Sequence, residues 1–171
     1  MLRWVGSRKG FSLLELMIVL VVIGLSLSVA LPSYQNMISR FAITSTANDL
    51  LAGVAFARSE ALKIGGVVSL YGSNGLSTNS LGGGYCVISG AGTPGNCLGA
   101  IQIFSVTNPN LTIDIYNPSS QIQNTLQFDD MGGLANTSGE IRLINICRTG
   151  FVGRQIQMSL IGRGKIVEYS C

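Results

Sequence analysis

The chain has 171 residues, 47% of them hydrophobic and only 11% charged, with a net charge of +3 and no histidine. Without imidazole there is no Ser-His or Cys-His nucleophilic pair, and no phosphate loop or dinucleotide fingerprint appears, since Gly82-Gly83-Gly84 lacks the spacing and a following helix. Paired carboxylates remain, but Asp129-Asp130 reads as a generic turn, so neither an enzyme activity nor a cofactor nor a metal is expected.

In chain order, Arg3, Arg8 and Lys9 precede an apolar run from Phe11 to Ala30 in which Glu15 is the only charge. Its twenty residues, at a rise of ~1.5 Å each, make a helix ~30 Å long, the thickness of a bilayer core. No further basic residue follows until Arg40, so the positive-inside bias keeps the short N-terminus cytoplasmic and sends the rest across. Small residues at Ser28-Val29-Ala30 would suit an ordinary secretory signal peptide. The run is longer than the usual apolar region of such peptides, roughly 7 to 15 residues, and carries a glutamate near its start. A carboxylate in hydrocarbon costs roughly 3 kcal/mol and normally faces a partner rather than lipid. The run holds no cation for Glu15. A cut between Gly10 and Phe11 would create one, an α-amino group about one helical turn away, and the amino group of a neighbouring copy could reach it too.

Beyond Pro32 a second helical pattern runs from about Ser33 to Ile64, where Met37, Phe41, Thr44, Ala47, Leu51, Val54, Arg58 and Leu62 recur at three- and four-residue steps. This stripe is expected to dock on a sheet, with Ser39, Arg40 and Asp49 largely elsewhere and Gly65-Gly66 as the stop. A single rod would bend near Gly24 and Pro32. From Val67 the period becomes two, with strands expected at Val67 to Tyr71, Tyr85 to Ser89, Ala100 to Val106, Leu111 to Tyr116, Thr125 to Phe128, Glu140 to Cys147, Gln155 to Ile161 and Lys165 to Tyr169. Leu111, Ile113 and Ile115, and likewise Ile156, Met158 and Leu160, should face a core, while Asn117-Pro118 marks a turn and Gly72 to Gly84 reads as a polar surface loop. About 140 residues follow the apolar run, enough for one domain with a core.

Cys86, Cys97, Cys147 and Cys171 form an even set beyond the span, which predicts disulfides in one of three pairings. Cys86 with Cys97 would close a short Gly/Pro-rich loop, and Cys147 with Cys171 would tie the last residue to an upstream strand, each typically worth ~2–4 kcal/mol. Zinc is not expected without histidine or a C-x2-C spacing. Between Ile64 and Glu140 there are four acids and no base; from Ile141 to Lys165 there are five bases, Arg142, Arg148, Arg154, Arg163 and Lys165, and no acid. Arginines beside glycines suit phosphate contact, because charge meets the oxygens and no side chain holds the backbone away. The same residues could equally offset Asp129 and Asp130 or match a neighbouring subunit, and Gly162 to Lys165 could be only a tight turn between the last two strands. No aromatic cluster accompanies the arginines, so DNA contact would be sequence-independent and salt-sensitive.

The segment Lys9-Gly10-Phe11-Ser12-Leu13-Leu14-Glu15, with Pro32 downstream, resembles the class III signal of type IV pilins and type II secretion pseudopilins. The resemblance implies that prepilin peptidase cuts after Gly10 and methylates Phe11, and that Glu15 and Pro32 serve assembly. Phe56-Ala57-Arg58-Ser59-Glu60-Ala61 and the tail Gly162-Arg163-Gly164-Lys165 are similar to the minor pilin and pseudopilin group that holds FimT, FimU and the type II secretion protein H, GspH. What this implies is an α+β, pilin-like fold: a leader over 1–10, a transmembrane helix over 11–31, its amphipathic continuation over 32–65, and an antiparallel β-rich head over 66–171. The head would be periplasmic on a single-pass inner-membrane anchor, later drawn into a fibre, with prepilin peptidase and other pilins as partners. In FimT-like proteins a C-terminal Gly-Arg-x-Arg motif is associated with DNA binding. Gly162-Arg163-Gly164-Lys165 resembles it with lysine last, which keeps the charge and loses the bidentate fork. Arg148, Arg154, Gly162, Arg163 and Lys165 are thus candidate contacts to double-stranded DNA. The reading implied is a structural subunit of a type IV pilus, with pseudopilin H of a type II secretion system, or a DNA receptor at the pilus tip, as alternatives.

Overall fold

Helix α1 (Leu13–Ile64) opens after Ser12, whose carbonyl accepts the amides of Glu15 and Leu16 at 3.1 and 3.2 Å. Glu15 therefore stands in the first turn, where a carboxylate offsets the partial positive charge of the helix N-terminus. The computed structural model describes residues 10–75, 80–106, 108–117, 119–135 and 140–171, without the side chains at 29 and 32. Arg3, Arg8, Lys9 and Pro118 lie outside the described residues, as does the ring of Pro32. The backbone divides into two units after Ile38. In the first, every described residue from Gly10 to Ile38 is exposed, and the helix continues through positions 24 and 32.

The second unit, from Ser39 onward, holds the core. Its strands are β1 (Val68–Gly72), β2 (Tyr85–Ser89), β3 (Gln102–Phe104), β4 (Thr112–Tyr116), β5 (Ile122–Gln123), β6 (Thr125–Phe128), β7 (Arg142–Cys147), β8 (Val152–Met158) and β9 (Gly164–Ser170). They form two antiparallel sheets, ordered β3-β2-β1-β6 and β5-β4-β7-β8-β9. In the larger sheet Ile115, Ile144 and Ile156 stand in one cross-strand row and Ile113 pairs with Ile146, so one face is continuously apolar. Val68, Leu70, Val87, Leu126 and Phe128 of the smaller sheet join the same core.

The face that α1 presents to this core differs from the expected stripe. Ser39, Ile43, Ala47, Leu50, Val54, Ala57 and Ala61 are buried, and only Ala47 and Val54 were among the expected residues. Phe41 is 66% exposed and Leu62 52%. The buried stripe is rich in small residues, which lets the helix backbone approach the strands closely. Gly53 shows how closely, because a Cβ there would collide with the ring of Tyr85.

Other boundaries moved for local reasons. Strand β8 begins at Val152 and ends at Met158, so Leu160 falls in the following turn and is 44% exposed rather than buried. That turn is closed by the Gly162 amide on the Ser159 carbonyl and the Ser159 amide on the Arg163 carbonyl, both at 2.9 Å. Strand β3 keeps only three residues of the expected seven, and β5 was not expected. Leu81, read as loop, is fully buried: its amide donates to the Ile113 carbonyl at 3.0 Å, and the Ser80 amide donates to Asp114 Oδ1 at 3.0 Å. The segment leaving β1 thus straps one sheet to the other.

The cysteines form two bonds, Cys86–Cys97 and Cys147–Cys171. The first anchors a loop over the outer face of β1, where the Tyr71 hydroxyl donates to the Asn96 carbonyl at 2.7 Å and the Ser69 hydroxyl to Gly90 at 2.6 Å. Burial raises the Tyr71 pKa, which keeps the phenol neutral. The second packs over Gly153 of β8, where a Cβ would meet Cys171 Sγ and the Ile146 carbonyl. They close separations of 11 and 24 residues, which chain entropy values at about 3 kcal/mol each. Serine at both Cys147 and Cys171 is expected to lower the melting temperature by about 10 °C, measured by thermal unfolding under oxidising conditions.

Candidate functional site

Two regions carry the expected site residues. In the first, Gly10 and Phe11 lie exposed just ahead of α1, Phe11 at 82%, and a Cβ on Gly10 would touch nothing within 4 Å. Glu15 follows one turn into the helix, exposed and without an ion pair among the described residues. The helix is long and apolar enough to cross a membrane. An accessible peptide bond, a helix N-terminus and a lone carboxylate are thereby placed within one turn of each other.

In the second region the structure separates what the sequence groups. Arg148 precedes β8 and Arg163 follows its last residue, in turns at opposite ends of the strand, whereas Arg154 pairs with Glu168 and Lys165 with Gln157, three residues or ~10 Å apart along β8. Arg154 Nη1 donates to Glu168 Oε1 at 3.0 Å, and the Arg148 guanidinium sits 5.3 Å from the centre of the Phe151 ring. Arg142 is buried with its Nη1 3.8 Å from Glu140. Arg163 and Lys165 are exposed. Asp129 serves its own turn, accepting the amides of Met131 and Gly133 at 3.0 and 2.7 Å.

Gly162 is a packing residue. It is buried at φ +74°, and a Cβ there would collide with the Gly132 carbonyl oxygen, which also accepts Arg58 Nε at 2.9 Å. A Cβ on Gly164 would meet the side chains of Leu51 and Met158. Arg58 thus clamps two turns onto α1 across 74 residues of sequence, a partnership with no local sequence signal. A groove of about 660 Å³ between α1 and β3 includes Asp49, Tyr85, Ile103, Phe104 and Asn108. The Tyr85 hydroxyl donates to the Asp49 carbonyl at 3.3 Å, and burial, then the Asp49 carboxylate, push its pKa well up. Among the described residues no cluster of potential metal ligands forms.

A family model for the prokaryotic N-terminal methylation motif matches residues 6–31, and one described as type II transport protein GspH matches residues 46–162. The chain belongs to the GspH family. The crystal structure of the type IV minor pilin FimU from Pseudomonas aeruginosa is similar to this GspH-family chain, with a TM-score of 0.59 and 24% identity over 75% of this chain and 90% of that one. The expected α+β, pilin-like architecture is therefore the observed one. A type IV major alpha-pilin of Moraxella bovis is 46% identical over 48 residues, and fimbrial protein EcpC of Eikenella corrodens is 36% identical over 91 residues. These matches cover 28% and 52% of this GspH-family chain. The chain spans 30% of the Moraxella relative's length and 59% of the Eikenella one's.

Proposed function

We propose that the chain is a minor pilin, a structural subunit cut after Gly10 by prepilin peptidase, methylated at Phe11 and assembled with other pilins into a type IV pilus. The observation that carries this reading is the exposed apolar first part of α1, up to Ile38, with Glu15 one turn from the Gly10–Phe11 bond, in a chain that continues into a two-sheet head. Residues 1–10 are the leader, 11–31 the span, 32–65 the helical continuation and 66–171 the head on the periplasmic side. Subunits wait in the inner membrane, and their apolar helices then exchange lipid for one another at little hydrophobic change. Glu15 and the Phe11 amine of a neighbour form the charge pair that sets the stagger. The family description favours a second assembly, the pseudopilus of a type II secretion system. The role is structural in both.

Mass spectrometry of native material decides the reading. The expected chain begins at Phe11 with one added methyl group, and a chain beginning at Met1 or Leu31 overturns it. Gly10→Val is expected to abolish processing while leaving the fold intact, since the added side chain meets nothing at that position. Accumulation of the uncut precursor in membranes checks this.

A further inference from the structure

The charges of the head are not evenly placed along α1. Arg40, Thr44, Val152, Arg154 and Glu168 line one notch of about 160 Å³, and the turn bearing Arg148, closed by the Phe151 amide on the Arg148 carbonyl at 3.1 Å, precedes Val152 directly. This end therefore holds three arginines and one acid, Glu168, while Asp49 on α1 and Asp114 at the centre of β4 stand midway between the two ends. At the other end Arg58, Lys63, Arg142, Arg163 and Lys165 stand with Glu60, Asp129, Asp130 and Glu140, close to neutrality. Phe41 and the 61%-exposed Val152 add uncovered apolar surface beside the arginines.

We infer that this basic rim, Arg40, Arg148 and Arg154, docks on anionic phospholipid headgroups while the subunit waits in the membrane. The inference rests on the proposed membrane residence of residues 11–31. Eight residues lie between Leu31 and Arg40, so the nine steps from one to the other make a tether of ~14 Å as helix and ~30 Å at most. Guanidinium groups bind phosphate oxygens bidentately, and each basic residue at an anionic surface contributes about fivefold in affinity. The apolar neighbours suit the headgroup level, where a mixed polar and apolar surface is at home. Duplex DNA is disfavoured as the occupant, because the notch is small and Arg163 lies in the turn beyond the far end of β8.

The test uses the full chain in lipid nanodiscs of phosphatidylcholine, with or without phosphatidylglycerol, and follows amide exchange at Thr149 and Gly150, both exposed in the turn after Arg148. Phosphatidylglycerol is expected to slow exchange at least about fivefold, an effect lost at high salt and in the Arg40→Ala, Arg148→Ala double variant. Glu168→Gln, which frees Arg154 at a solvent-exposed pair, should strengthen the protection. Equal exchange in both lipids overturns the rim, as does protection that appears only when duplex DNA or further copies of the chain are added. A chain that enters neither nanodisc overturns the membrane reading instead, so the two failures are distinguishable.

Discussion

Replacing Glu15 by valine is expected to leave the chain in the membrane and to deplete it from fibres by more than tenfold. The carboxylate opposes insertion by roughly 3 kcal/mol, so the valine variant enters the bilayer more readily. Within the chain Glu15 supports only the first turn of α1, worth ~0.3–1 kcal/mol at most. In the proposed fibre its absence would be felt between subunits, where the neighbour's Phe11 amine would be left as an uncompensated charge among apolar helices, a penalty of about 3–5 kcal/mol. Immunoblots of sheared fibres against washed membranes measure both quantities. Equal amounts in the two fractions for variant and native chain would show that assembly makes no use of the carboxylate.

The second large effect belongs to Gly162, which sits in a motif that reads as a nucleic-acid contact. Gly162→Ala places a Cβ against the Gly132 carbonyl and forces a left-handed backbone on alanine, so a loss of about 2–4 kcal/mol is expected in denaturant unfolding. Arg58→Ala removes the hydrogen bond to the same carbonyl and should lose about 1–3 kcal/mol. Because both act on one contact, the double variant should fall short of the sum. Arg163→Ala is solvent-facing and should stay within about 0.5 kcal/mol. The DNA-receptor alternative is therefore tested at Arg163 and Lys165, with a mobility-shift titration of the full chain in detergent. The same assay on a Gly162 variant would report unfolding.

The N-terminal methylation motif over residues 6–31 was legible from sequence because a single carboxylate in an apolar run just after Gly10-Phe11 has few physical explanations. The sheet strands were legible where both faces alternate cleanly, as at Ile113 and Ile115. The helix stripe was not, because hydrophobicity favoured Phe41 and Leu62 while close packing selected Ser39, Ala57 and Ala61. Leu81 was missed because a leucine among serines and glycines has no period around it, and its burial comes from β4 more than thirty residues later. The five bases looked like one patch because they are close in sequence. The seven residues of β8 put the turn that carries Arg148 and the turn that carries Arg163 at opposite ends of the strand, so linear proximity and spatial proximity part company there.

Under the proposed orientation, the two sulfur bridges bear on the chronology of export. Both join residues that follow the span, so they can close only after translocation, whereas the peptide bond at Gly10 is cut from the opposite compartment. A molecule stalled on the reducing side would keep four thiols whatever its leader state. Alkylation with a mass tag would then sort arrested from delivered molecules on a gel, and each would carry a record of how far it had travelled.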